Sequence, residues 1–135
     1  MVLINDGDTA LEIGNIFISV KTESDATKIT VVKIYLGYVT SSGGTLKSAV
    51  NLNTVSAKTA NVTLRENAPT TTGTENRIME LYFQPGNGNN LTIPFEGGII
   101  LQRTGSLRIG VTGAAAVTAG LTCDASCQFM EDGDL

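Results

Sequence analysis

Histidine and tryptophan are both missing from this 135-residue chain, which has only two cysteines and three prolines. Without imidazole, acid and base chemistry near neutral pH, the serine and cysteine triads, and most zinc and iron sites lose their usual side chain. Carboxylates remain, but a paired-carboxylate glycosidase also stacks sugar rings on aromatic side chains, and the chain has only three Tyr and four Phe. The sequence therefore reads as a non-enzymatic protein with no catalytic, cofactor-binding or metal-binding residues. Basic runs are equally scarce. Nine Lys and Arg are scattered along the chain and form no basic face for phosphate backbones, so nucleic acid is not an expected partner.

The net charge of -4 is unevenly placed. Of 13 acids, Asp124, Glu131, Asp132 and Asp134 lie in residues 123–135, a stretch with no base, while the remaining acids and bases balance. This pattern predicts a neutral domain over residues 1–123 and a short acidic C-terminal tail over 124–135, solvated and flexible. Residues 1–9 (MVLINDGDT) have no basic region and only a brief apolar start, so neither a signal peptide nor a membrane contact is expected. Asp6-Gly7-Asp8 and Asp132-Gly133-Asp134 lack the spacing and closing Glu of a calcium loop and read as turns.

What the chain does have is 41% apolar residues, 16% charged residues and 15 Gly. Its apolar residues are mainly Val, Ile, Leu and Ala, set among many Thr, a mixture that suits pleated, half-buried surfaces better than helices. Residues 10–20 alternate about a Gly14-Asn15 interruption that suggests a bulge or a change of face, in a first strand pair or one bent strand, and residues 27–39 are apolar in both parities, as in a central strand. Residues 46–55 place Leu46, Ser48, Val50 and Leu52 on one face, and 60–64 is a short strand. The polar stretch 65–76 reads as an exposed crossing between sheets, and 77–84 is a strand closed by the turn 85–90. Two short strands, 91–95 and 99–102, flank Glu96-Gly97-Gly98, and 106–111 pairs with 114–123 as a final hairpin. The expectation is a single-domain, all-β, antiparallel β-sandwich of the jelly-roll type with about eight strands.

Cys123 and Cys127 stand four residues apart. They read as free or buried thiols. A disulfide across this short loop is an alternative, and a metal site would need two further soft ligands that the sequence does not offer.

Several segments resemble the jelly-roll decoration, or cement, proteins of tailed-bacteriophage capsids. They are residues 38–45 (YVTSSGGT), 49–53 (AVNLN), 93–101 (IPFEGGIIL), 107–111 (LRIGV) and 112–116 (TGAAA). The likeness lies in a general pattern, in which a strand with a proline leads to a Gly-rich corner and then to a strand ending in small residues. It implies a structural virion protein, made in the host cytoplasm, that sits on the outer capsid surface as a homotrimer. Its partners would be the major capsid protein and other copies of itself. The alternatives are another virion component, such as a head-tail connector, fibre or spike base, and a carbohydrate-binding jelly-roll module.

A mean hydropathy of +0.12 suggests more apolar surface than one small sandwich hides, which favours an oligomer. Met1, Val2, Leu3 and Ile4 form an apolar start that should be docked. It is expected either to cover the core of its own subunit or to form a partner interface.

Overall fold

Every regular element in the computed structural model, which describes residues 1–22, 30–52, 55, 58–83, 89–113 and 121–131, is a strand, and most are rich in the β-branched residues that suit a pleated surface. Among the described residues are nine strands: β1 (Val2–Asn5), β2 (Leu11–Thr22), β3 (Thr30–Ser42), β4 (Thr45–Lys47), β5 (Val62–Glu66), β6 (Thr70–Phe83), β7 (Asn89–Leu101), β8 (Ser106–Gly113) and β9 (Leu121–Glu131). Six form one sheet in the order β4-β5-β1-β8-β3-β6, and three form a second in the order β7-β2-β9. All the ladders are antiparallel. The inward residues of both sheets meet in one core, including Leu3, Val32, Ile34, Leu107 and Ile109 from the first and Ile13, Ile16, Ile18, Ile99 and Leu101 from the second. The chain is thus all-β, with an arrangement consistent with a β-sandwich.

The Gly14-Asn15 interruption is a bulge. Ile13 pairs with Phe129 and Ile16 with Cys127, so two residues of β2 face one of β9. This insertion keeps Ile13 and Ile16 on the same inward face although they are three positions apart. Of the strand read over 27–39, residues 30–39 behave as read, since β3 lies inside its sheet between β8 and β6, and residues 27–29 lie outside the described residues.

Gly43 and Gly44, at φ 66° and 61°, join β3 to β4, although β8, β1 and β5 lie between those two strands in the sheet. A turn this short spans the gap only if the far half of the β3–β6 ribbon bends across the outer face of β1 and β5. Val39 accordingly packs with Val2 and Ile4 in a second small core on that face. The bend depends on a close approach at Gly37, where a Cβ would stand 2.1 Å from Thr74 O and 2.6 Å from Glu75 Cα. We expect Gly37→Ala to force these strands apart and lower stability by several kcal/mol, about the range of an overpacked core or more. A thermal melt unchanged by Gly37→Ala would contradict this packing.

Asn5 ties three corners together from a fully buried position. Its Nδ2 donates to Thr9 O at 2.8 Å and to Leu101 O at 2.9 Å, and its Oδ1 accepts from Gly7 N at 3.0 Å. Its backbone N–H donates to Gly105 O at 3.0 Å and its carbonyl accepts from Thr104 N at 2.8 Å.

Several segments differ from expectation. Residues 65–76 are mostly exposed, as read, but they make no crossing between sheets, because β6 begins at Thr70 and residues 67–69 connect β5 to β6 of the same sheet, with Asn67 and Ala68 at positive φ. Their polarity reflects a ribbon that leaves the main core as it bends. The strand read over 46–55 stops at Lys47. Residues 91–95 and 99–101 belong to one strand, β7, whose pairing with β2 steps from Pro94 to Ile99 around an insertion, and Gln102 lies just past its end. Among the described residues no hairpin joins β8 to β9: β8 pairs with β1 and β3, and β9 pairs with β2 in the other sheet. Residues 114–120, part of that expected hairpin, lie outside the described residues. The acidic stretch read as a tail from residue 124 is, as far as Glu131, the body of β9; residues 132–135 lie outside the described residues.

Candidate functional site

Met1 to Ile4 lie in the middle of the larger sheet. Val2, Leu3 and Ile4 are 1%, 0% and 7% exposed, and Met1 packs against the main core. Leu3 faces that core, while Val2 and Ile4 face the second one with Val39. β5 occupies one edge of β1 and β8 the other. The ladder continues to Met1, whose nitrogen donates to Ile109 O while Ile109 N donates to Met1 O, both at 2.9 Å. The apolar side chains of this segment and both of its backbone edges are thus engaged within the subunit.

Beside β1, the outer face of the larger sheet holds a charged cluster. Arg108 on β8 stands opposite Tyr35 on β3, with its guanidinium 3.9 Å from the ring centroid. Its Nε donates to both carboxylate oxygens of Glu75, at 2.9 and 2.8 Å, and Nη2 completes the fork. Both side chains are mostly buried, at 23% and 20% exposure, and the Glu75 carboxylate raises the pKa of Arg108 above its ordinary value. A guanidinium satisfied on one side by a carboxylate and on the other by an aromatic face is a structural clamp. It fastens β8 to the bent ribbon.

Cys123 and Cys127 are free and share the inward side of β9 with Ala125 and Phe129, partly buried against the core. Four positions along a strand separate their Cα atoms by about 13 Å, well beyond disulfide reach. Burial raises both pKa values, that of Cys127 to about 11. These thiols are protonated at neutral pH and are poor nucleophiles. Among the described residues, no group of three or more His, Cys, Asp or Glu is placed to hold a metal ion.

A pKa near 11 for Cys127 has a stability consequence. The unfolded chain releases this proton from about pH 9, before the folded chain does, so stability falls as pH rises from 9 towards 11. The loss attributable to this thiol approaches about 2–3 kcal/mol. Urea unfolding at pH 8 and pH 11 should therefore show a smaller alkaline loss for Cys127→Ala than for the parent chain. Equal losses would contradict the assignment.

The surface best suited to touching other proteins is elsewhere. Val50 and Leu52 are 82% and 76% exposed and follow β4 at the edge of the larger sheet, with exposed Leu46 before them and exposed Val55 after. Asn51 Nδ2 donates to Lys58 O at 2.8 Å and holds this arm in a loop. Large apolar side chains clustered in water are characteristic of interaction sites. The alternation at 46, 48, 50 and 52 is visible in the sequence, but there it reads as an ordinary strand. A cleft of about 420 Å³ lies where β1, β8 and β9 come together, lined by residues such as Met1, Pro69, Val111 and Ala125. Comparison with protein families, with curated proteins and with solved structures finds no match for the chain.

Proposed function

We propose that this chain is a structural virion protein, a jelly-roll domain that binds the outer surface of an icosahedral phage shell as a trimer and stabilises contacts between major capsid proteins. The observation that carries the reading is the nesting of its ladders: β1 with β8, β2 with β7, β3 with β6, and β4 with β5. A jelly roll is a long antiparallel ribbon wrapped on itself, and those four pairs are the rungs of such a ribbon. The architecture recurs in viral shell domains. Two features depart from it: the β4–β5 hairpin lies beside β1 in the larger sheet, and β9 is added beside β2. The segments that resemble decoration proteins and the exposed apolar arm support the functional half of the reading.

The test is co-sedimentation of the full chain with shells that lack minor surface proteins. Saturable binding that raises the temperature at which the shells open is expected. A chain that stays in the supernatant at every shell concentration would overturn the proposal.

A further inference from the structure

Sheet edges left open in a folded chain act as templates for pairing, and proteins guard them by shortness, bulges, proline or charge. The two sheets here end in four edges: β4 and β6 in one, β7 and β9 in the other. β4 is three residues long. β6 is interrupted by a bulge at Ile78 and passes through Gly73 at φ 141°. β7 contains Pro94 and the insertion before Ile99, with Glu96 at φ 46°. β9 runs for 11 residues with no proline and no inserted residue of its own, and among the described residues it pairs with β2 on one side and with no strand on the other. Of its two acids, Glu131 accepts from Asn61 N at 3.3 Å within the subunit, which leaves Asp124 as the one exposed charge along the strand.

The inward side of β9 records the missing neighbour. On β2, which has a strand on each side, Ile13, Ile16 and Ile18 are 0%, 0% and 2% exposed. Beside them on β9, Cys123, Ala125, Cys127 and Phe129 pack against the core but stay only partly buried.

An edge of this kind pairs along its whole length only with another that is equally long and straight. Among the described strands β9 alone qualifies, so its matching surface is β9 of a second copy. Antiparallel pairing at full overlap places Ser126 opposite Ser126, Ala125 opposite Cys127 and Cys123 opposite Phe129, so inward side chains meet inward ones. Asp124 falls opposite Gln128, and the two Asp124 carboxylates stand four positions, roughly 14 Å, apart, beyond the screening length of about 8 Å at physiological salt.

We propose that β9 pairs antiparallel with β9 of a second copy across a two-fold axis at Ser126, joining two three-stranded sheets into one continuous sheet. The contact goes beyond the reading above, because it is two-fold and links one trimer to another instead of forming one. A chain that pairs through β9 and ignores shells leaves it standing, and a chain that coats shells without this pairing overturns it alone.

Light scattering on the full chain and on a Ser126→Lys variant tests it. Ser126 is exposed, so the variant should keep the parent's far-UV spectrum, but at full overlap its two lysines face each other. At micromolar concentration the parent's mass should be at least twice the variant's. Equal masses would overturn the proposal. A second measurement does not depend on a disruptive variant. In a Cys123→Ala/Cys127→Ala background, Ser126→Cys alone should oxidise to a disulfide-linked dimer, because each new thiol meets its own copy. Met130→Cys, also at an exposed position, is the control: at full overlap its two thiols lie eight positions, roughly 27 Å, apart and should not join. No dimer from Ser126→Cys, or equal yields from both, would overturn it.

Discussion

Removing residues 1–4 should leave a chain with no cooperative unfolding transition. β1 is an interior strand, and its loss would separate β5 from β8 and expose both ladders. Val2, Leu3 and Ile4 are all buried, and each such side chain contributes roughly 1.5–3 kcal/mol. Together they approach roughly 5–9 kcal/mol, comparable with the whole stability of many domains. Far-UV spectra and a thermal melt of the shortened chain check this. A sigmoidal melt within a few degrees of the full chain would show that β1 is an accessory strand. Because folding itself should fail, loss of partner binding by that chain would say nothing about a docking role for these four residues.

Asn5→Ala should cost about 3–5 kcal/mol, far more than a typical polar substitution. The change strands the carbonyls of Thr9 and Leu101 and the N–H of Gly7, all of which the Asn5 side chain satisfies. Each buried polar group left without a partner costs about 1–3 kcal/mol. Asn5→Asp should also be destabilising, since a carboxylate cannot donate to the two carbonyls that Nδ2 serves. The check is urea unfolding of both variants. A loss below about 1 kcal/mol for Asn5→Ala would mean that water replaces the side chain without strain.

The uneven legibility of this fold has physical causes. Gly14-Asn15 announces its bulge because a break in alternation between apolar runs is a local signal. Residues 27–39 announce an interior strand because both parities are apolar. The same cue is present in Val2, Leu3 and Ile4, where consecutive buried residues mark a strand covered on both faces. It shows that the segment is docked, but not where, since the second face is covered by Val39 from a ribbon that bends far from it in sequence.

β9 is hidden for a different reason. Its inward residues, Cys123, Ala125, Cys127 and Phe129, are mostly small, and the acids Asp124 and Glu131 among them suggest a solvated tail. A strand whose outward face is polar needs a partner before its alternation acquires meaning, and its partner β2 lies more than a hundred positions earlier. The bond from Asn5 to Leu101 spans 96 residues and leaves no local trace. Residues 46–52 show the opposite failure: their alternation is strong, yet beyond Lys47 the subunit forms no strand there. That mismatch between a clear strand pattern and its unused continuation is what marks the arm as a candidate site.

The central claim, that the chain is a shell-coating protein, is tested most directly by its copy number in purified particles, measured by quantitative gel staining against the major capsid protein. A trimer repeated over an icosahedral lattice predicts roughly hundreds of copies per particle, in fixed proportion to the capsid protein. Roughly a dozen copies per particle would place the chain at a connector or spike base, and particles that lack it altogether would contradict the account.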